Sequence, residues 1–285
     1  MTSVAAPRLA RRAAGRPGVG TVYRWELRKL RSQKRTYLGL GAAALVPLIF
    51  IVALLTSSGG PEDVPFGRYV RETGLAIPLV GLLFSSIWLF PLITSLVAGD
   101  IVACEDNHGT LKTILTRSTE RWQIFAGKLL AAVTYAVAAL VIFVGAGLVI
   151  GGLIWGFDPL PSLSGTRIDA GRGVLLIAAA AVAYLVPMLA IAAIAFLLST
   201  VTHNSAAAVV GTLILSFMMQ LLAIISGLGF LRPYLLSEQF DAWQGFLREP
   251  TDWAPILHAA WVSACYAVPA TLWAFLAFVR RDVAD

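Results

Sequence analysis

The sequence predicts an all-α, polytopic membrane protein, and three observations carry that prediction. Hydrophobic residues fill 58% of the 285 positions and charged residues only 13%. Several apolar runs reach the roughly 20 residues a helix needs to cross a bilayer. Ten of the 22 basic residues crowd into the first 35 positions, ahead of the first such run. The first two observations exclude a soluble globular domain. The third explains the net charge of +6, which would otherwise suggest nucleic acid: membrane topology accounts for a basic N-terminus, and no nucleic-acid partner is expected.

Residues 1–19 are rich in Ala, Arg, Pro and Gly without apolar period and read as a flexible tail. Residues 20–36 follow as a unit. From Thr21 to Arg35, Tyr23, Trp25, Leu27 and Leu30 interleave with six basic side chains and one acid, Glu26. That mixture suits a helix lying in the headgroup layer, its Arg and Lys stems snorkelling; a plain juxtamembrane positive cluster is the alternative. Residues 37–285 then hold six predicted spans, near Tyr37 to Leu55, Leu75 to Val102, Leu129 to Trp155, Val174 to Leu198, Ala206 to Phe230 and Pro255 to Val279. Between the last two, residues 231–254 are too polar to cross yet carry Tyr234, Phe240, Trp243, Phe246 and Trp253. Aromatics at that density predict short helices dipping into the interface.

Orientation follows from counting. With the N-terminus inside, inside segments hold 16 Lys and Arg and outside loops 6, so both termini and the central loop are predicted to be cytoplasmic. Each of the 38 charged side chains fits in a loop, a tail or the last turn of a helix, with Asp100 the deepest. Ion-driven transporters need carboxylates or unwound ion sites within the membrane, so any transport here is expected to draw its energy elsewhere. Pro47, Pro91, Pro187 and Pro269 should kink their helices, and Gly147 with Gly151 makes a small face for close packing. Ordinary bundle packing accounts for both, with gating as the alternative.

Asp100 to Lys128 is the one long charged passage in the middle of the chain. Within it Thr110 can cap a short helix whose Leu111, Ile114 and Leu115 share one face at i, i+3 and i+4, with Lys112, Thr113 and Thr116 pointing elsewhere. Such a helix is a docking surface; a solvated loop with an accidental apolar triplet is the alternative. Soluble chemistry is missing. Gly127-Lys128 is followed by Leu129 and position 122 is Trp, so no phosphate loop forms. His108, His203 and His258 lack metal-ligand spacing, and Cys104 and Cys265 suggest neither disulfide nor zinc. No catalytic residue and no metal site is expected, and the chain is not expected to hydrolyse ATP.

The passage EDNHGTLKTILTRSTERWQIFAGKLL resembles the signature of the ABC type-2 transporter permeases, membrane subunits of ATP-binding-cassette exporters. There an acidic residue precedes Gly-Thr-Leu, a leucine-rich turn, an Arg and a Gly-Lys-Leu. Glu105, Gly109, Thr110, Leu111, Leu115, Arg121, Lys128 and Leu129 take those places. YRWELRKLRSQKR is similar to that family's elbow helix, STVTHNSAA to its link between spans four and five, and FVRRDVAD to its C-terminal end. Ser118-Thr119 stands where the family often has Pro.

The resemblance implies a six-span half-exporter of the type V fold, paired as a homodimer or with a similar permease in a bacterial plasma membrane. Two copies of a separate ATP-binding cassette subunit, holding ATP and Mg, would dock below it. Residues near 110–117 would be the coupling helix, with Glu105, Gly109, Thr110, Leu111, Ile114, Leu115 and Arg121 engaging the ATPase. Residues near 231–254 would be a re-entrant cap. Ser86, Thr94, Ser216 and Gln220 are the hydrogen-bonding candidates along an otherwise apolar pathway, which suits a drug, antibiotic or lipid rather than an ion. Entry would be sideways from membrane lipids. Two other readings stand beside this one: a lantibiotic or peptide immunity exporter, and a non-transporting scaffold regulated by an ATPase.

Overall fold

The computed structural model describes residues 18–57, 59–107, 109 and 120–280. It is mostly helical: α1 (Val19–Ser32), α2 (Lys34–Thr56), α3 (Ala76–Ser85), α4 (Leu89–Ala98), α5 (Ala103–Asn107), α6 (Arg121–Trp155), α7 (Ala170–Thr202), α8 (Ser205–Ile224) and α9 (Ala254–Val279). Five of these, α2, α6, α7, α8 and α9, are long and apolar enough to cross a membrane; α3 and α4 make a sixth crossing if the bent pair is one span. Their outward faces leave Val149, Val182, Leu257 and Trp273 exposed, as contact with lipid requires. The chain is an all-α, polytopic, membrane-embedded protein.

α1 is the exception among the long helices. It buries Val22, Glu26 and Leu30, spaced i, i+4, i+8, and turns Arg24, Trp25 and Arg28 outward. One extended residue, Gln33, separates it from α2. The buried stripe lies along the first half of α6. There Gly127 makes the approach possible, because a Cβ at that position would stand 2.6 Å from the Val22 side chain.

The stretch from Leu75 to Val102, expected as one continuous span, is instead broken between α3 and α4 with a bend of 66°. Pro91 is the cause. Lacking an N–H, it cannot bond the carbonyl four residues back at Ile87, and its ring crowds that same group, so the helix fails across Ser86, Ile87 and Trp88. Groups freed inside hydrocarbon need new partners. Ser86 Oγ donates to the Leu83 carbonyl at 2.8 Å, and the Tyr184 hydroxyl reaches across from α7 to the Leu82 carbonyl at 3.2 Å. Pro47, Pro187 and Pro269, by contrast, sit inside unbroken helices.

Gly147 and Gly151 face the start of α3. A Cβ on Gly147 would touch Pro78 at 3.4 Å, and Gly74 meets the Gly151 backbone so closely that its own Cβ would lie 2.3 Å from it. The small face therefore serves packing.

At the end of the bundle opposite α1, a two-stranded hairpin, β1 (Leu160–Pro161) with β2 (Arg167–Ile168), joins α6 to α7. It is tied to the segment before α9 by the Leu163 amide donating to the Leu247 carbonyl at 2.9 Å and by Arg172 with Glu249 at 2.9 Å. That segment contains a run of 3₁₀ turns, Glu238–Leu247, packed on α7 and α9. Its aromatics divide. Tyr234 and Trp253 remain exposed, as an interfacial segment predicts, but Phe240 and Trp243 are buried, against Tyr184 and Phe66 respectively. The segment thus closes the bundle on itself as well as facing its surroundings.

Candidate functional site

Lys128 stands two turns inside α6 and has no exposed surface at all. An unpaired ammonium there would cost several kcal/mol, so its partners define the site. Its Nζ donates to Glu26 Oε1 on α1 at 2.9 Å and to the Ile101 carbonyl at 3.2 Å, and it lies 2.7 Å from Glu105 Oε2 on α5. Glu105 also pairs with Lys29 of α1. Two carboxylates and two ammoniums balance in one node, and three separate parts of the chain meet in it.

Burial alone would push the Glu105 carboxyl up, yet Lys128 and Lys29 overcome that and hold it below its ordinary value of 4.5. Glu105 is therefore charged at neutral pH although nearly buried. Around it the same end of the bundle is stitched further. Arg35 at the start of α2 pairs with Asp100, His203 Nδ1 lies 2.7 Å from Asp106, and Arg121 donates to the Val279 carbonyl at 2.6 Å. The Ser199 hydroxyl of α7 accepts from the amides of Val102 and Ala103 at 3.3 and 3.0 Å, holding the turn into α5. α1, α2, α6, α7 and α9 are thus all tied to the segment that carries residues 100–107 or to the start of α6. Chemically the node has no nucleophile or metal set; no group of three or more metal-ligating side chains occurs among the described residues. It joins α1, α5 and α6.

Of the residues the sequence singled out for docking, Glu105 is in the node and Arg121 opens α6. Gly109 adopts φ +66°, a left-handed conformation that glycine takes without strain. Thr110, Leu111, Ile114 and Leu115, and with them the expected coupling helix, lie outside the described residues. Of the pathway candidates, Ser86, Ser216 and Gln220 are brought together with Pro91 and Phe240 around one small cleft of about 10 Å³. Thr94 is buried elsewhere on α4. Sequence reasoning did not assemble Glu26, Lys29 and Lys128. The signal was the single acid in a basic stretch, Glu26, with Lys29 one turn on, and a lysine that can be buried only if it has a partner.

A family model described as "Protein of unknown function (DUF2705)" matches residues 44–284, and the chain belongs to that family. No curated protein matches it.

Proposed function

We propose that this member of the DUF2705 family is the membrane permease subunit of an ATP-driven exporter of the ABC type-2 kind, moving a hydrophobic or amphipathic small molecule. In this reading the α1 end faces the cytoplasm of a bacterial cell, and α1 is the elbow helix. The bent pair α3–α4 is the second of six spans, and the segment before α9 is the outer cap. Two chains, or this chain and a similar permease, pair above two copies of a separate subunit that binds ATP and Mg.

The node at Lys128 is the observation that carries the reading. A permease without its own ATPase must pass a push delivered at its cytoplasmic loop into its spans, and packed or ion-paired rigid elements are the physical means. Glu105 lies just before the charged central loop, and its pairs with Lys128 and Lys29 lead into α6 and α1. The cleft around Ser86, Ser216 and Gln220, hydrogen-bonding groups on apolar walls, suits a gate that opens on such a push.

The test is reconstitution in nanodiscs with the candidate ATP-binding subunit. Expected are co-purification and an ATPase rate raised by lipid-like or aromatic compounds, and Ser86→Leu with Gln220→Leu should remove the stimulation while basal hydrolysis persists. Failure of any ATP-binding subunit to co-purify would remove the reading.

Orientation has its own test. In a chain freed of Cys104 and Cys265, a cysteine at Ser118 should resist a membrane-impermeant thiol reagent in intact cells, and one at the exposed Asp63 should react. The reverse pattern would invert the topology.

A further inference from the structure

A second open space lies toward the end of the bundle opposite α1, away from the node. An apolar pocket of about 410 Å³ lies between the second half of α2, the end of α3 and the second half of α6, walled by Val46, Phe50, Ala53, Phe84 and Phe143. Gly81 leaves the room, since a Cβ there would press on the Phe143 ring at 2.9 Å. The volume is within the range of about 300–1,000 Å³ typical of small-molecule sites. An apolar space beside a bilayer is not left without contacts when hydrocarbon can enter.

Gly59 and Gly60 also border a second, polar pocket of about 220 Å³, lined besides by Glu62, Gly67, Arg68 and Arg71. The rim they share is held in place. Arg71 Nη2 donates to the carbonyls of Leu54 at 2.7 Å and Gly59 at 3.2 Å, supplying the bare C-terminal end of α2 with a cation. Gly67 touches the Pro61 carbonyl so closely that a Cβ would fall 1.7 Å from it, and Phe66 beside it holds φ +64° while stacked on Trp243. Glu62 and Arg68 are exposed in this frame, and neither forms an ion pair among the described residues although both line the same small space.

We infer that the two pockets together hold one zwitterionic phospholipid, its acyl chain between α2, α3 and α6 and its headgroup between Arg68 and Glu62. The guanidinium takes the phosphate and the carboxylate takes the ammonium. Arg71 is committed to the carbonyls at the end of α2, which leaves Arg68 and Glu62 to meet the headgroup; a purely anionic one would leave Glu62 facing like charge, so the pair favours the zwitterion. The inference does not depend on the exporter reading, because it requires neither ATP nor a second subunit.

Native mass spectrometry of the full chain, purified in detergent from membranes containing both phosphatidylethanolamine and phosphatidylglycerol, tests it. The parent chain should retain one phosphatidylethanolamine. Ala53→Trp, which fills the apolar pocket from an exposed position, should lower that occupancy at least about tenfold, the effect of losing some 1.4 kcal/mol of binding. Val182→Trp, on a lipid-facing surface elsewhere, should not. Glu62→Lys, at the surface and outside the packing of the core, leaves only cations to meet the headgroup and should move the preference from phosphatidylethanolamine to phosphatidylglycerol, and this variant decides the matter if Ala53→Trp does not fold. Equal retention by Ala53→Trp and Val182→Trp, preferential retention of phosphatidylglycerol by the parent chain, or detergent in place of lipid would each overturn the assignment.

Discussion

A Lys128→Met chain is expected to release α1 from the bundle and to lose about 3–5 kcal/mol of stability, the usual cost of removing one partner from a buried charge group. Glu26 and Glu105, with no more than a tenth of their surface exposed, would be left facing each other without the ammonium that separates them. Methionine fills nearly the same volume, so the loss reports charge rather than a cavity. A chain carrying Glu26→Gln, Glu105→Gln and Lys128→Met together should recover most of it, because no carboxylate then remains unpaired. Thermal unfolding in nanodiscs, with protease access to α1 as the local readout, distinguishes these outcomes. Parent-like melting of the single variant would remove the node as a structural element. The pH dependence has a definite sign. Glu105 titrates lower in the folded chain than its ordinary 4.5, so its contribution is complete above that value and is lost as pH falls through the lowered one. Glu105→Gln should flatten that acid limb.

The second large effect is expected at Ile114. If Leu111, Ile114 and Leu115 fill an apolar groove on an ATP-binding subunit, Ile114→Asp sets a carboxylate against that groove at a cost of several kcal/mol. Pull-down of the ATPase should fall to background and transport should stop, while the permease inserts normally. Lys112→Ala, on the other side of the same predicted turn, should change little. An Ile114→Asp chain that still brings the ATPase down would show that this segment is not the docking helix, and would leave the Lys128 result untouched.

The membrane class and most helix limits were legible because both depend on local properties, apolar length and period. α2 and α9 begin and end within a few residues of where the apolar runs place them. The break at Ser86 was half legible. Pro91 announces a disturbance, but Pro47, Pro187 and Pro269 announce the same one and are absorbed, and what separates them is tertiary. Among the described residues, it is at the break before Pro91 that a neighbouring helix supplies a hydroxyl, that of Tyr184, to a carbonyl left over, that of Leu82. The node was not legible. Lys128 borders an apolar run and so reads as the end of a loop, and nothing local in it points to an acid 102 positions earlier. The burial of Phe240 and Trp243 escaped for the same reason: aromatics suit an interface and a core equally, and packing alone decides between them.

That separation of 102 residues between Glu26 and Lys128 also imposes an order of events on the ribosome. At about 5–20 residues per second, some 5 to 20 s pass between synthesis of α1 and arrival of its partner. During this interval α1 has emerged, α2 and the bent pair are entering the membrane, and Glu26 has no ammonium from α6 to meet. The outward Arg24 and Arg28 can hold the helix against anionic headgroups while it waits. Docking of α1 is then a late event that marks the insertion of α6. Nascent chains arrested before Lys128 should accordingly expose α1 to protease and those arrested well beyond it should not; protection in the shorter chains would mean that α1 finds its place without the third crossing.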